Sequence, residues 1–151
     1  PELAHYEWVE LALQISDAVP AFPVDPLDRA GEDVAAALLE GIPVASPQAW
    51  PLAYRWPVHR IGPDHQPAEP PTEPTLLLVR RDAGDQVRFA RLSPLAFRLL
   101  EHVARASDSG RAILHALAAE AGVERDGLFA EGTAMLVRLH AEGTLAGIRA
   151  R

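Results

Sequence analysis

The sequence predicts an α+β protein whose C-terminal part is winged-helix-like, with a small antiparallel sheet of about three strands followed by three helices. Two β-prone runs flank a glycine-containing turn, three segments with helical apolar spacing follow them, and a proline-rich aromatic segment precedes them. These observations indicate a helical arm at residues 1–42, a strap at residues 43–74 and a winged-helix-like domain at residues 75–151.

The arm begins with a predicted helix over residues 2–16. Its apolar residues form two stripes, which are Tyr6, Val9 and Leu13, and Trp8, Leu11 and Ile15. Because a helix that is apolar on two sides usually packs between two neighbours, we expect one neighbour to be a domain that precedes residue 1. A shorter helix is predicted at residues 32–40, before Gly41 and Pro43.

The strap is the most unusual segment, because it holds nine of the fourteen prolines together with two of the three tryptophans. Large aromatic residues anchor cores or interfaces, so we expect the strap to dock on this chain or on a partner, and we favour this chain. The candidate partner-interface residues are Trp50, Tyr54, Arg55, Trp56, His59 and Arg60. A short strand is predicted over residues 54–61, where Pro57 restricts it to a sheet edge or a bulge.

A β-hairpin is predicted after the strap, with strands at residues 75–81 and 86–92 and a turn at 82–85. Ser93 is the expected N-cap of the first of three helices. The second helix starts near Ser109 and ends at Gly122. The third covers residues 126–141, and residues 144–148 form a last strand or a tail.

The composition argues against several classes of function. A net charge of −7 disfavours non-specific DNA binding, and the absence of cysteine removes thiolate nucleophiles and zinc–thiolate sites. The six histidines lack the spacing of helical metal ligands, and no nucleophile motif or phosphate-binding glycine loop is present. We therefore predict no catalytic residues, no metal, no cofactor and no membrane span, and a cytoplasmic location.

An arginine cluster on the hairpin is open to three interpretations. Its members are Arg80, Arg81, Arg88 and Arg91. An open sheet edge with such residues can accept an acidic peptide as an added strand. Alternatively, the chain is a transcriptional regulator that places its second or third helix in the DNA major groove, but these helices expose few hydrogen-bond donors. A charged edge that merely resists aggregation is the simplest interpretation of the cluster.

Three runs resemble the C-terminal part of the HvfC family, whose members are often labelled DNA-binding domain proteins. They are residues 5–13 (HYEWVELAL), 52–61 (LAYRWPVHRI) and 67–71 (PAEPP). The resemblance implies a bacterial, cytoplasmic accessory protein without catalytic residues. It further implies two partners, a ribosomally made precursor peptide and the multinuclear non-haem iron enzyme that modifies it.

Residues 92–96 and 136–145 are also similar to PqqD-type peptide-recognition domains. This similarity implies that a peptide adds to the strand before the first of the three helices and lies along the third. The peptide-binding residues implied are Val87, Arg88, Phe89, Ala90, Arg91, Met135 and Arg138.

Overall fold

The computed structural model describes residues 1–69 and 71–150; Pro70, in the predicted strap, and Arg151 lie outside the described residues. The chain forms two compact units. The first, here called the sheet unit, contains residues 1–17 and 48–94, and the second, the helical unit, contains residues 18–47 and 95–151. Each unit is made of two separate stretches of chain, whereas the predicted arm, strap and C-terminal domain are each one continuous stretch.

The described residues contain five α-helices, six strands and one turn of 3₁₀ helix. In chain order the elements are α1 Glu2–Gln14, β1 Val24–Asp25, α2 Val34–Glu40, β2 Pro43–Ala45, β3 Ala49–Tyr54, the 3₁₀ turn Val58–Arg60, β4 Thr75–Arg81, β5 Val87–Arg91, α3 Pro94–Ala104, α4 Gly110–Ala121, α5 Arg125–Ala141 and β6 Leu145–Arg149. The predicted α+β order, a three-stranded antiparallel sheet followed by three helices, is confirmed.

The sheet unit is an antiparallel sheet in the order β3-β4-β5, with α1 packed on one face. Side chains alternate across each strand, so the residues on the α1 side come from every second position. Val9 and Leu13 of α1 and Val79 of β4 are buried together, and Trp50 and Phe89 pack against them. The first stripe of α1 therefore forms the core of this unit.

The second stripe of α1 faces away from that core. Trp8, Leu11 and Ile15 are 58%, 61% and 73% exposed. The further domain that we expected to cover this stripe stays a prediction.

The strand predicted over residues 54–61 is wrong, because β3 ends at Tyr54. The Glu2 carboxylate accepts the backbone N–H groups of Arg55 at 2.8 Å and Trp56 at 2.9 Å. Those groups are therefore turned away from the sheet, and Pro57 has no N–H to continue a ladder. The chain passes instead into the 3₁₀ turn.

The helical unit is built around α2, α4 and α5, which pack on one another. A Cβ at Gly110 would meet the backbone oxygen of Leu38, and a Cβ at Gly132 would meet the Leu114 side chain, so glycine allows these helices their close approach. The second small sheet has the order β1-β6-β2. The short helix predicted at residues 32–40 is α2, which packs on the C-terminal helices α4 and α5.

Local signals place the ends of α4. The Ser109 side chain accepts the N–H of Ala112 at 3.1 Å, and Gly122 ends the helix in the left-handed conformation. The segment at 144–148, predicted as a last strand or a tail, forms the strand β6. None of the helices in the described part of the chain has both the length and the apolar character that crossing a bilayer requires.

Candidate functional site

The outer edge of β5 is the site at which an extended peptide could be accepted. Two hydrogen bonds at the ends of the hairpin fix its ladder. The N–H of Leu92 donates to the Leu76 oxygen at 2.8 Å, and the N–H of Asp82 donates to the Gln86 oxygen at 2.9 Å. In an antiparallel ladder, hydrogen-bonded pairs alternate with pairs that point their backbone groups away from each other.

This alternation decides which backbone groups of β5 are open. Arg88 and Ala90 direct their backbone N–H and C=O groups towards β4, in register with Arg80 and Leu78. Val87, Phe89 and Arg91 direct theirs outwards. Within residues 1–69 and 71–150, no strand pairs with this edge, and no hydrogen bond engages these three outward-facing N–H groups.

The side chains of β5 lie alternately on the two faces of the sheet. Val87 and Phe89 pack towards α1, where the Phe89 ring lies 5.0 Å from that of Tyr6. Arg88 is exposed on the other face, with its Nε 2.8 Å from Asp82. Core packing therefore holds the strand in place while its edge stays open.

Asp82 stabilises the turn that joins β4 to β5. Its Oδ1 accepts the N–H groups of Gly84 and Gln86, both at 2.9 Å. The ion pair with Arg88, together with these hydrogen bonds, lowers the pKa of Asp82 below its ordinary value. The ionised carboxylate thus organises the hairpin.

The aromatic residues of the strap lie inside the sheet unit. Tyr54 is only 4% exposed, and its hydroxyl lies 2.8 Å from His5 Nδ1. Burial is the main cause of the raised pKa of Tyr54. Trp50 and Trp56 are partly buried against the two apolar clusters of the unit. These rings therefore dock on this chain, which is the role we favoured. A contact between the strap and a partner stays a prediction.

The polar residues of the strap contribute to a cavity. His59 and Arg60, predicted at a partner interface, and Arg91, predicted at a peptide site, line one cavity of about 370 Å³. Arg55 lies outside this cavity and is exposed. The structure thus brings together residues from two different predicted sets.

Three further lining residues were missed by sequence reasoning, namely His65, Glu69 and Glu73. They fall in a proline-rich stretch where neither helical nor strand periodicity indicates which side chains converge.

His59 has the most distinctive environment in this cavity. Its Nδ1 atom is buried and has no hydrogen-bond partner among the described residues. Burial, followed by the charges of Arg91 and Arg60, lowers the pKa of His59 below its ordinary value. The neutral form of this imidazole is therefore favoured more than that of a solvent-exposed histidine.

The remaining predicted peptide-binding residues lie on α5 in the helical unit. Met135 is buried, with 7% of its surface exposed, and Arg138 is exposed. The groove predicted between the strand at 87–91 and this helix stays a prediction.

The exposed face of α5 carries few groups that could read DNA bases. Its charged residues are Arg125, Asp126, Glu131 and Arg138, and its other exposed positions are glycine or alanine. Two carboxylates beside two guanidinium groups give little attraction for phosphate.

A cavity of about 610 Å³ lies in the helical unit, but its charged residues already have partners. Asp25 pairs with Arg29 at 3.0 Å, and Glu40 pairs with Arg111 at 2.6 Å. Arg149 stacks on the Phe22 ring at 4.3 Å. In the described part of the chain, no three His, Asp or Glu side chains are grouped as metal ligands would be.

Comparison with protein families decides the assignment. Residues 46–140, more than half of the chain, match the family described as HvfC C-terminal domain. The chain belongs to this family. The HvfC match begins at the strap and ends in α5, so it includes β5 and the residues of the 370 Å³ cavity. It places the chain in a family of accessory proteins. No curated protein matches the sequence.

Proposed function

We propose that this protein is a non-catalytic accessory protein that binds a ribosomally made precursor peptide and presents it to a partner iron-dependent modifying enzyme. The observation that carries the proposal is the open outer edge of β5. Three outward-facing residues, Val87, Phe89 and Arg91, offer backbone donors and acceptors at the spacing of a β-ladder. The HvfC family membership supports the accessory role.

The edge suits a peptide ligand because it is held rigid before binding. The packing of Val87 and Phe89 against α1, and the turn organised by Asp82, fix the strand from two sides. A preformed edge loses little conformational entropy when a peptide pairs with it. Main-chain hydrogen bonds then supply affinity, and side chains at the edge supply specificity.

The chemistry is assigned to the partner enzyme. The chain has no cysteine, no nucleophile motif and no phosphate-binding loop. We place the partner contact at the polar side of the strap, where Arg55 and Arg60 are exposed. The cytoplasmic location belongs to the same proposal, because precursor peptides are made and modified there.

Co-expression with the products of the neighbouring genes tests the proposal. We expect the protein to copurify with an iron-containing enzyme and, in isothermal titration calorimetry, to bind the precursor peptide encoded beside it. A protein that remains alone in size-exclusion chromatography and releases no heat with the peptide would remove the proposal.

DNA binding is the second candidate, and the turn at Gly122 between α4 and α5 favours it, because a helix–turn–helix has this form. The net charge of −7 and the mixed charges on α5 count against it. A mobility-shift assay with duplex DNA at low salt distinguishes the two. Binding at sub-micromolar protein would favour the regulator, and we expect none.

A further inference from the structure

The cavity beside the end of β5 contains two guanidinium groups that form no ion pair with a carboxylate among the described residues. Arg60 and Arg91 are both exposed and line the cavity. Within the described residues, neither forms an ion pair or a side-chain hydrogen bond. Unpaired guanidinium groups that meet in a concave site favour an anionic ligand.

His59 adds a second, independent observation. Its buried Nδ1 has no partner in the described part of the chain, although buried polar atoms are nearly always satisfied. Burial, and after it the charges of Arg91 and Arg60, lower the pKa of His59. The two guanidinium groups therefore lie close enough to the imidazole to act on it electrostatically.

We propose that this cavity binds a single carboxylate of the peptide that pairs with β5, either an acidic side chain or the chain end. The inference rests on the proposed function and adds the chemistry that the peptide must carry. Arg60 and Arg91 donate hydrogen bonds to the carboxylate, and His59 supplies a further donor when it is protonated. Proline residues at positions 57, 67, 71 and 74 form stiff walls around the site.

The position of the cavity relative to the edge supports this assignment. Arg91 is the last residue of β5 and one of those whose backbone groups face outwards. A paired peptide advances about 3.3 Å per residue, so a residue one or two positions beyond Arg91 reaches the cavity. The same arginine therefore takes part in the ladder through its backbone and in the cavity through its side chain.

Glu69 and Glu73 line the cavity too, and they limit the charge that it accepts. Neither forms an ion pair with Arg60 or Arg91 among the described residues. Their negative charges oppose a dianion such as phosphate more strongly than a carboxylate. The two arginines and the two glutamates sum to no net formal charge, so the cavity favours a monoanion, held by direct hydrogen bonds to the guanidinium groups, over a dianion.

Binding is coupled to protonation of His59. A carboxylate in the cavity opposes the effect of Arg60 and Arg91, so it raises the depressed pKa of His59. By linkage, the carboxylate binds more tightly as the pH is lowered from the pKa of His59 in the bound form towards its lower pKa in the free form. His65, Glu69 and Glu73 face the same cavity, so the histidine signals must be assigned separately.

Nuclear magnetic resonance titration of the full chain tests the site with three small probes. N-acetylglycine carries a terminal carboxylate, N-acetylglutamate α-amide carries a side-chain carboxylate, and N-acetylglutamine α-amide carries none. We expect one or both acids to raise the pKa of His59 by about one unit at saturation, and the neutral amide to leave it unchanged. The acid with the larger effect identifies the source of the carboxylate.

Two variants complete the test. Arg91→Gln should weaken carboxylate binding about threefold, because it removes one of two charge-assisted donors. Arg125→Gln, on α5 and outside the cavity, removes the same charge and should leave binding unchanged. Equal losses in both variants would show a non-specific charge effect and overturn the site.

Titration of the precursor peptide separates this inference from the proposed function. If wild type and Arg91→Gln bind the peptide equally and neither acid raises the pKa of His59, the cavity inference fails. The proposed peptide binding at the β5 edge then remains. If the peptide does not bind but the acids raise the pKa of His59, the proposed function fails and the cavity stands as a carboxylate site. If nothing binds, both are wrong.

Discussion

The two edges of the β3-β4-β5 sheet are built differently. The N–H of Arg81 donates to the Gln48 oxygen at 2.9 Å, so alternation points the backbone groups of Ala49, Pro51 and Ala53 outwards. Pro51 has no N–H at the middle of that edge, and the N–H of Arg55, just beyond it, is taken by Glu2. The β5 edge has neither a proline nor a capping carboxylate.

This difference shows that edge protection is selective within one small sheet. Proteins usually block sheet edges because unpaired strands recruit other chains. Here Pro51 removes one outward-facing N–H from the middle of one edge, and a carboxylate 53 residues away in sequence caps the chain just beyond it, while the other edge keeps three outward-facing N–H groups. This asymmetry supports the proposal that β5 is the binding edge.

The largest expected effect comes from opening the protected edge. Glu2→Ala removes the acceptor of two backbone N–H groups and should lower the free energy of unfolding by about 2 kcal/mol. Urea denaturation followed by circular dichroism measures the change. Glu7→Ala, at an exposed position of the same helix, is the control and should change stability by less than about 0.5 kcal/mol. Equal stability of the two variants would show that the cap contributes nothing.

Closing the open edge should have the next largest effect. Val87→Pro removes an outward N–H without removing a bond to β4, so peptide affinity should fall about tenfold. Ala53→Pro makes the matched change at the β3 edge and should leave affinity unchanged. Calorimetric titration with the precursor peptide measures both, and unfolding curves confirm that both variants are folded. Similar losses in the two would mean that β5 is not the binding edge.

Charge reversal at the end of the open edge should have a smaller effect. Arg91→Glu should weaken peptide binding about fivefold and abolish its dependence on salt concentration. Arg88→Glu should weaken it less, because Arg88 is already paired with Asp82. Binding at several salt concentrations measures the difference, and an unchanged affinity for Arg91→Glu would contradict the placement of the peptide.

The smallest effect concerns the turn that supports the open edge. The folded-state pKa of Asp82 lies below its ordinary value of 3.8, so the ionised carboxylate stabilises the hairpin above that value. This contribution is lost as the pH falls through the lower folded-state pKa. The protection factors of the Gly84 and Gln86 amides, corrected for intrinsic exchange, should fall over that acidic range in the wild type. In Asp82→Ala, which has no acceptor oxygen, they should be low at every pH, and protection that persists in this variant would refute the role of the carboxylate.

Several elements were predictable because short-range chemistry decides them. The hairpin follows from β-prone runs around the turn at 82–85, and α4 follows from its Ser109 cap and its terminal Gly122. The arginines and the aromatic residues of the strap were recognised as candidates for the same reason. Their identity and local spacing can be read without knowledge of distant contacts.

Other features depend on contacts between residues that are remote in sequence. The end of β3 is decided by Glu2, and the membership of α2 in the helical unit by its packing on α4 and α5. No local pattern indicates either, since a lone glutamate or a seven-residue helix occurs in many contexts.

The sequence by itself determined the α+β class, the helix ends, the hairpin and the set of arginine and aromatic residues from which a binding site could be built. Only the tertiary structure decided which sheet edge stays open and which charged residues meet. Arg91, Arg60 and His59 share one cavity because a proline-rich segment returns to the end of β5. The physical reason is that backbone alternation and helix capping are local, whereas strand pairing and charge convergence depend on chain segments folded together from a distance.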